Sequence, residues 1–157
     1  RRPAPALFVG ALALVLGAAL AVADFGRVAA IFSAAPGSPP LEQRIAAGQR
    51  SVLFSHHADY AAVTSGLPIS GGLQAFGGAS HYLLDTRLMV AWAKALAQDG
   101  QVDAARHLAQ RLREFRSPLS QDFFAACDAS AAASAAAAPF QCSAPQQALS
   151  WRDFEAR

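Results

Sequence analysis

Apolar residues form one unbroken run near the start of the chain. Residues 6–23 are eighteen consecutive apolar or glycine positions, with no charged residue among them. As an α-helix this run would be about 27 Å long, which is close to the hydrocarbon thickness of a bilayer. The pattern predicts a transmembrane helix, and we assign residues 1–35 to this helix and its short extension.

Small residues recur within the run at helical spacing. Gly10, Ala13, Gly17 and Ala21 share one face, on which another helix could approach closely. We therefore expect the lipid bilayer and other transmembrane helices of the same chain to contact this helix. The alternative is that these residues only reflect the high alanine content of the chain and have no packing role.

A secretory signal peptide is the competing interpretation of the same run. Arg1 and Arg2 precede it, and Ala21-Val22-Ala23 fits an A-x-A cleavage motif before Asp24. A retained helix is favoured, because the run is longer than a usual signal core and helix-like sequence resumes after Asp24. The two leading arginines place the N-terminal end in the cytoplasm, and both interpretations place the remaining chain outside it.

Beyond the run, the spacing of apolar positions predicts helices and no strands. Residues 36–40 are a proline-rich break, and residues 41–128 are an extracytoplasmic helical region in which apolar residues recur every three or four positions. The predicted fold class is all-α. Within the region we expect one helix or two over 41–64 with a break near Gly48, a glycine-rich loop over 66–78, a helix capped by Ser80, a turn at Asp99-Gly100, a helix over 102–115 and a short helix after Ser117-Pro118.

The two helices around the Asp99-Gly100 turn are expected to form an antiparallel pair. Their spacing of large and small residues is reminiscent of a tetratricopeptide unit, at Trp92, Leu96, Gly100, Ala104 and Leu108. Only one copy of the unit is present, and an isolated repeat cannot bury its apolar face. The pair should therefore dock on another part of the same chain.

The C-terminal residues 129–157 are predicted to be an alanine- and serine-rich spacer followed by a tail. Ser150 and Asp153 have the spacing of a capping box at the start of a last turn. Cys127 and Cys142 are the only cysteines, and in a chain outside the cytoplasm they most simply form one disulfide that ties this tail. Two free thiols or a redox-active pair are the alternatives, although the C-x-x-C spacing of redox pairs is missing.

Composition and charge exclude several function classes. Hydrophobic residues make up 54% of the chain, but 39 of its residues are alanine, so the helical region has a thin apolar core. A net charge of +2 is too small for a nucleic-acid surface, so no nucleic acid is expected as a partner. Arg106, Arg111, Arg113 and Arg116 predict a basic helix face, which is either simply solvated or a surface for anionic lipid headgroups or a phosphorylated lipid carrier.

Histidine and acidic residues offer no metal, cofactor or catalytic signature. His56 and His57 stand beside Asp59, but adjacent helical side chains point about 100° apart and cannot both reach one small site. We expect His56 to lie on the apolar stripe of its helix and His107 on the polar face of its own, and His81 adds no further ligand. No cofactor, metal or catalytic residue is assigned.

The order of these parts resembles the C-terminal region of the bacterial membrane-bound O-antigen polymerase, O-antigen ligase and pilin-glycosylating O-oligosaccharyltransferase family. The resemblance rests on a last membrane span, the proline break, the helix pair and three soft motifs. These motifs are Ser51-Val52-Leu53-Phe54 continuing through Asp59-Tyr60-Ala61-Ala62-Val63-Thr64, Pro139-Phe140-Gln141-Cys142, and Ser150-Trp151-Arg152-Asp153-Phe154. Because the only methionine is Met89, we expect the chain to be processed or part of a longer protein.

The resemblance implies a multi-span enzyme of the bacterial inner membrane, with its C-terminal part in the periplasm. Such an enzyme moves a glycan from an undecaprenyl-diphosphate carrier to lipid A core, a growing polymer or a protein hydroxyl, and the carrier-linked glycan and its acceptor would be its partners. Its catalytic residues would lie upstream, so this segment is expected to be non-catalytic. The alternatives are a separate periplasmic or singly anchored helical adaptor that binds a protein partner, and a redox module.

Overall fold

The computed structural model describes residues 5–67, 71–130, 138–147 and 152. These residues form helices and connections without any strand, which confirms the all-α class. The chain divides into two compact units, Arg1–Ala58 and Asp59–Arg157. The helices are α1 (Pro5–Phe32), α2 (Leu41–Gly48), α3 (Ser55–Thr64), α4 (Gln74–Tyr82), α5 (Thr86–Gln98), α6 (Val102–Phe115) and α7 (Gln121–Ser130), with 3₁₀ turns at Pro118–Ser120 and Phe140–Cys142.

Helix α1 contains the apolar run and continues beyond it. Within the described residues, one helical stretch, Leu7–Phe32, is long and apolar enough to cross a membrane. Every described side chain of α1 before Ala21 is exposed, whereas Asp24, Val28 and Ile31 are buried. The coarse expectation of one long apolar helix near the N-terminus is therefore confirmed. Its last two turns differ from the rest, because their buried side chains pack inside the first unit.

Helix α2 runs back along these last turns of α1. Ile45 is buried, and the end of α2 comes so close to α1 that a Cβ atom on Gly48 would lie 2.6 Å from Cδ1 of Ile31. The same Cβ would lie 3.0 Å from Cβ of Ala58 in α3. Only glycine fits this contact without displacing its neighbours, so the predicted break near Gly48 is also a packing position. The break separates α2 from α3, as one of the two expected forms of residues 41–64 has it.

Helices α5 and α6 build most of the core of the second unit. Leu88 of α5 and Leu108 and Leu112 of α6 are fully buried. Gly100 joins the two helices at φ +83°, a left-handed conformation that favours glycine just past a helix end. The turn and α6 are as the sequence predicts, whereas α5 begins six residues after the predicted cap at Ser80. The likeness of the pair to a tetratricopeptide unit stays a prediction.

Helix α4 corrects two of the local predictions. The expected glycine-rich loop over 66–78 is helical from Gln74 onward, and Ser80 lies inside α4 instead of capping the next helix. Phe76 is buried and stacks on Trp92 at 6.0 Å between ring centroids, so tertiary packing overrides the weak helix propensity of the glycines. The cap of α5 is Asp85, whose carboxylate accepts a hydrogen bond from the backbone N–H of Leu88 at 2.9 Å.

Candidate functional site

Asp24 is the buried polar centre of the first unit. It is the first acidic residue of the chain and has no exposed surface, although it lies in the long apolar helix. Its Oδ2 accepts hydrogen bonds from Oγ of Ser51 at 2.7 Å and from the backbone N–H of Leu53 at 2.8 Å. Its Oδ1 accepts one from Arg27 at 3.2 Å.

These bonds make Asp24 a structural residue. Ser51 passes the network on, because its Oγ also accepts a hydrogen bond from the backbone N–H of Phe54 at 2.8 Å. A buried carboxylate is tolerated when donors satisfy both of its oxygens, and here they do. The arrangement holds residues 51–54 against α1 eight residues before α1 ends. We call this network the Asp24 anchor.

Arg44 of α2 binds the C-terminal end of α1. Its Nη1 donates to the carbonyl oxygens of Ala30 at 2.6 Å and Ile31 at 2.9 Å, and its Nε donates to that of Pro39 at 3.0 Å. The last carbonyls of a helix lack partners within it, and the negative end of the helix dipole favours a cation there. Arg44 therefore stabilises both the end of α1 and the turn into α2.

Three arginines line an open groove beside this helix end. The groove has a volume of about 560 Å³, and we call it the arginine groove. Its charged lining residues are Arg27, Arg44 and Arg50, and its other lining residues are Ala30, Ser38, Pro39, Gln43, Ala46 and Ala47. No acidic side chain is among them, so the groove is suited to an anion.

The positive charge of the chain belongs to the unit that contains this groove. The unit Arg1–Ala58 contains five arginines against two acids, Asp24 and Glu42, which gives a formal charge of +3. The unit Asp59–Arg157 contains eight basic and nine acidic residues, which gives −1. The small net charge of +2 for the whole chain therefore conceals a basic unit and a slightly acidic one.

Large apolar side chains are exposed beside the Asp24 anchor. Val52 is 75% exposed and Leu53 is 51% exposed, although the backbone N–H of Leu53 reaches the buried carboxylate. Phe25 of α1 is also exposed, and its ring meets that of Phe54 edge-on at 5.9 Å. Exposed apolar residues in one place indicate a surface that meets an apolar environment.

Tyr60 and Asp85 form a half-buried polar contact at the edge of the core of the second unit. The Tyr60 hydroxyl donates to Oδ2 of Asp85 at 2.8 Å, while Oδ1 of Asp85 caps α5. Burial, followed by the hydrogen bond and the negative charge of Asp85, raises the pKa of Tyr60 to about 12. The phenol therefore stays protonated at neutral pH and joins the chain near the end of α3 to the start of α5.

The cysteine pair fastens the C-terminal segment to α7. The sulfur atoms of Cys127 and Cys142 lie 2.09 Å apart, which is disulfide distance. Arg113 of α6 supports the same segment, because its Nη2 donates to the carbonyl oxygen of Gln141 at 3.1 Å and its guanidinium lies 4.9 Å from the centre of the Phe124 ring. The segment is thus held from two helices.

Asp103 holds the segment a few residues further on. Its two carboxylate oxygens accept hydrogen bonds from the backbone N–H groups of Gln146 at 2.6 Å and Gln147 at 2.9 Å. The hydrogen bond from Gln146 is the largest influence that lowers the pKa of Asp103, and the neighbouring charge of Arg106 adds to it. The predicted helix-dipole position of Asp103 is therefore also a docking point for the tail.

The other residues singled out in the sequence are dispersed. Gly10, Ala13 and Gly17 are exposed and Ala21 is half-buried, and added Cβ atoms at the two glycines would meet nothing within 4 Å. His56 is exposed instead of lying on a buried stripe, and His57 is half-buried with its ring edge-on to Phe54 at 5.7 Å. Among the residues that the structure describes, no group of three His, Cys, Asp or Glu side chains could hold a metal ion.

His107 is buried instead of lying on the predicted polar face, and the arginines of the predicted basic face have separate contacts. His107 is 7% exposed, because the buried face of α6 is wide enough to include it beside Leu108. Arg106 pairs with Asp103 at 3.8 Å and Arg111 with Glu114 at 2.7 Å. Arg113 and Arg116 line a separate open cleft of about 700 Å³. Arg106 and Arg111 of the predicted basic face therefore form ion pairs, and Arg113 contacts the tail.

The predicted capping box at Ser150 and Asp153, and most of the spacer, lie outside the described residues.

The residues of the Asp24 anchor and the arginine groove were not recognised as a site from the sequence. A single acid in a long apolar helix is the signal that could have revealed the anchor, but its partner Ser51 lies 27 residues away.

Compared with models of known protein families, with curated proteins and with solved structures, the chain has no significant match.

Proposed function

We propose that the chain is the non-catalytic, membrane-anchored C-terminal segment of a multi-span inner-membrane glycan transferase. The transferase would be an O-antigen ligase, an O-antigen polymerase or a protein O-oligosaccharyltransferase that uses an undecaprenyl-diphosphate-linked glycan. The observation that carries the anchoring is α1, whose side chains are exposed at all fourteen positions from Leu7 to Leu20. Such an apolar surface is stable in contact with lipid or with other helices.

Two further observations support this proposal. The cysteine pair at disulfide distance favours a location outside the cytoplasm, where disulfides persist. The carboxylates of Asp24, Asp85 and Asp103 are each engaged in hydrogen bonds that hold helices or the tail, which favours a shaping role. In this proposal the helices beyond α1 cover the periplasmic face on which the acceptor arrives.

The small-residue face of α1 has a specific role in the proposal. Gly10, Ala13, Gly17 and Ala21 would contact sister helices of the complete protein, because small residues let helix backbones approach closely in a bilayer. Gly17→Leu would obstruct that contact. Ala19→Leu is the matched control, since residue 19 lies on the opposite side of the helix.

Glycan transfer by the complete protein in its own membranes tests this role. The gene carrying Gly17→Leu or Ala19→Leu would replace the natural gene, and transfer of the lipid-linked glycan would be measured in isolated membranes. We expect Gly17→Leu to lose most of the transfer at equal protein level and Ala19→Leu to retain it. Equal transfer by both variants would contradict the role of this face.

Membrane extraction and N-terminal sequencing test the anchoring itself. We expect the protein to remain in the membrane pellet through an alkaline carbonate wash. A mature chain that begins at Asp24 and is washed from the membrane would contradict the proposal and favour a separate periplasmic adaptor. The open cleft beside Arg113 and Arg116 is the feature that favours such an adaptor, since it offers a partner both charge and an aromatic side chain, Phe124.

A further inference from the structure

We propose that the arginine groove binds the phosphate of an anionic phospholipid headgroup where α1 leaves the bilayer. This inference rests on the proposed membrane anchoring of α1. Its ligand is a phosphodiester on a membrane lipid, held by Arg44 and Arg50 with Arg27 beside them. The depth of the groove, its charge and the donors that its arginines leave available all favour such a ligand.

The Asp24 anchor marks where the lipid-exposed part of α1 ends. Side chains before Ala21 are exposed, and at Asp24 the helix becomes buried against residues 51–54. From Leu7 to Asp24 the helix rises about 26 Å, close to the hydrocarbon thickness of a bilayer. The exposed side chains of Val52 and Leu53 lie beside the anchor and would meet the apolar edge of the bilayer there.

The groove lies just beyond this level. Arg27 is three residues past Asp24, or about 4.5 Å along the helix, and Ala30 is about 9 Å past it. Arg44 bonds to the carbonyl oxygen of Ala30 and so stands at the same height. The headgroup layer on each side of a bilayer is about 5–8 Å thick. Arg27 and the guanidinium group of Arg44 therefore lie within the headgroup layer and at its outer edge, the depth at which lipid phosphates are found.

Arg44 and Arg50 have N–H donors that remain available to bind an anion. Arg44 uses Nε and Nη1 for backbone carbonyls and leaves Nη2, while Arg50 uses only Nε, for the carbonyl oxygen of Ala46 at 3.3 Å. Among the described residues, neither Arg44 nor Arg50 forms an ion pair with an acid. Guanidinium groups bind phosphate through charge-assisted hydrogen bonds, and two that have no acidic partner in a single groove favour it.

Lipid co-purification measures the binding directly. The full chain would be reconstituted in vesicles of equal phosphatidylcholine and phosphatidylglycerol, extracted in mild detergent and assayed by native mass spectrometry for bound lipid. We expect phosphatidylglycerol to be enriched on the natural chain. Arg50→Gln should reduce that enrichment about five-fold, the effect expected of one basic residue at a membrane surface, and Arg50→Lys should restore part of it.

Arg111→Gln is the matched control. It removes the same charge from an exposed arginine of α6, and we expect it to leave the enrichment unchanged. Equal loss in both variants would mean that net charge alone attracts the lipid, which would overturn the site. Arg50 is preferred to Arg44 for the test because it makes one backbone hydrogen bond and its replacement should leave α1 and α2 folded, as circular dichroism would verify.

Two further outcomes separate the possible failures. Millimolar inorganic phosphate should not displace the lipid, and displacement would assign the groove to a free anion instead of a headgroup. Retention in membranes through a carbonate wash, with no enrichment of phosphatidylglycerol, would overturn the groove while leaving the anchoring intact. Release of the chain by the wash would overturn the anchoring, and the inference with it.

Discussion

The two units of the chain are stabilised in opposite ways. In Arg1–Ala58 the buried apolar side chains are few, and a buried carboxylate with its donors fastens the segment after α2 to α1. In Asp59–Arg157 a continuous apolar core joins α4, α5, α6 and α7, and the polar contacts lie at its margins. A unit that buries little apolar surface thus relies on directed hydrogen bonds, whereas a unit with a larger buried core relies on packing.

The largest effect should come from the core of the second unit. Leu108→Ala removes a fully buried side chain between α5 and α6, and we expect a loss of about 3 kcal/mol in the free energy of unfolding. Urea unfolding in detergent, followed by the fluorescence of the core residue Trp92, would measure it. Leu119→Ala is the control, because Leu119 is largely exposed. A similar loss in the control would contradict a core centred on Leu108.

Removal of the cysteine pair should have the next largest effect. Cys127→Ser with Cys142→Ser frees a loop of fifteen residues, which the chain-entropy model values at about 3 kcal/mol before strain is subtracted. We expect a somewhat smaller measured loss, confined to the second unit. Hydrogen exchange of the reduced natural chain and of the double variant should agree. Alkylation of both thiols in freshly isolated, unreduced protein would contradict the disulfide.

The Asp24 anchor should have an intermediate and local effect. Asp24→Ala leaves the Ser51 hydroxyl and the backbone N–H of Leu53 without their acceptor, so residues 51–54 should detach. We expect amide hydrogen exchange there to accelerate about ten-fold or more, with no change in α5 and α6. Ser51→Ala should reproduce part of the acceleration. Unchanged exchange in residues 51–54 would mean that packing alone holds them.

The Tyr60 hydrogen bond should have a smaller effect that depends on pH. Its folded pKa of about 12 exceeds the ordinary value of 10.0, so its stabilisation is complete below pH 10 and is lost as the pH rises through 12. Tyr60→Phe should cost about 1 kcal/mol at neutral pH. In a Tyr82→Phe background, absorbance of the remaining tyrosinate should rise near pH 12. A midpoint near pH 10 would contradict the buried hydrogen bond.

The smallest effect should be the attachment of the tail by Asp103. Its pKa is lowered in the folded state, so the stabilisation is present above the ordinary value of 3.8 and is lost as the pH falls through the lowered pKa. Asp103→Asn should accelerate exchange at the amides of Gln146 and Gln147 at neutral pH. Arg106→Gln should have less effect on the same amides, because it removes an ion pair with Asp103 but leaves both carboxylate oxygens as acceptors.

The sequence predicts the helices of this fold better than it predicts their contacts. The apolar run, the break near Gly48 and the turn at Gly100 are local features, and the structure contains each of them. The glycines before Tyr82 favour a loop locally, yet α4 forms because Phe76 gains a partner in Trp92. Spacing alone also misplaced His107, since the width of a buried helix face depends on which helices pack against it.

The candidate site shows the same limit more strongly. The arginine groove combines residues of α1, of α2 and of the segments on either side of α2 that are up to 23 positions apart, and the Asp24 anchor joins residues 27 apart. No local sequence pattern predicts that residues so far apart in the chain come together. The one local sign was the position of Asp24 in an otherwise apolar helix, because an unpaired carboxylate there would be costly and needs donors from elsewhere.

The Asp24 anchor also sets the rotation of α1 about its own axis. Gly10, Gly17 and Asp24 follow one another at intervals of seven residues, so they lie within about 40° of one another around the helix. A turn of 100°, the step between neighbouring residues, would carry the carboxylate away from Ser51 and Leu53. The small-residue face therefore lies on the same side of α1 as α2, and Phe25 and Arg27 lie on opposite sides of that face. One buried acid thus fixes which side of α1 faces the rest of the first unit and which side stays exposed.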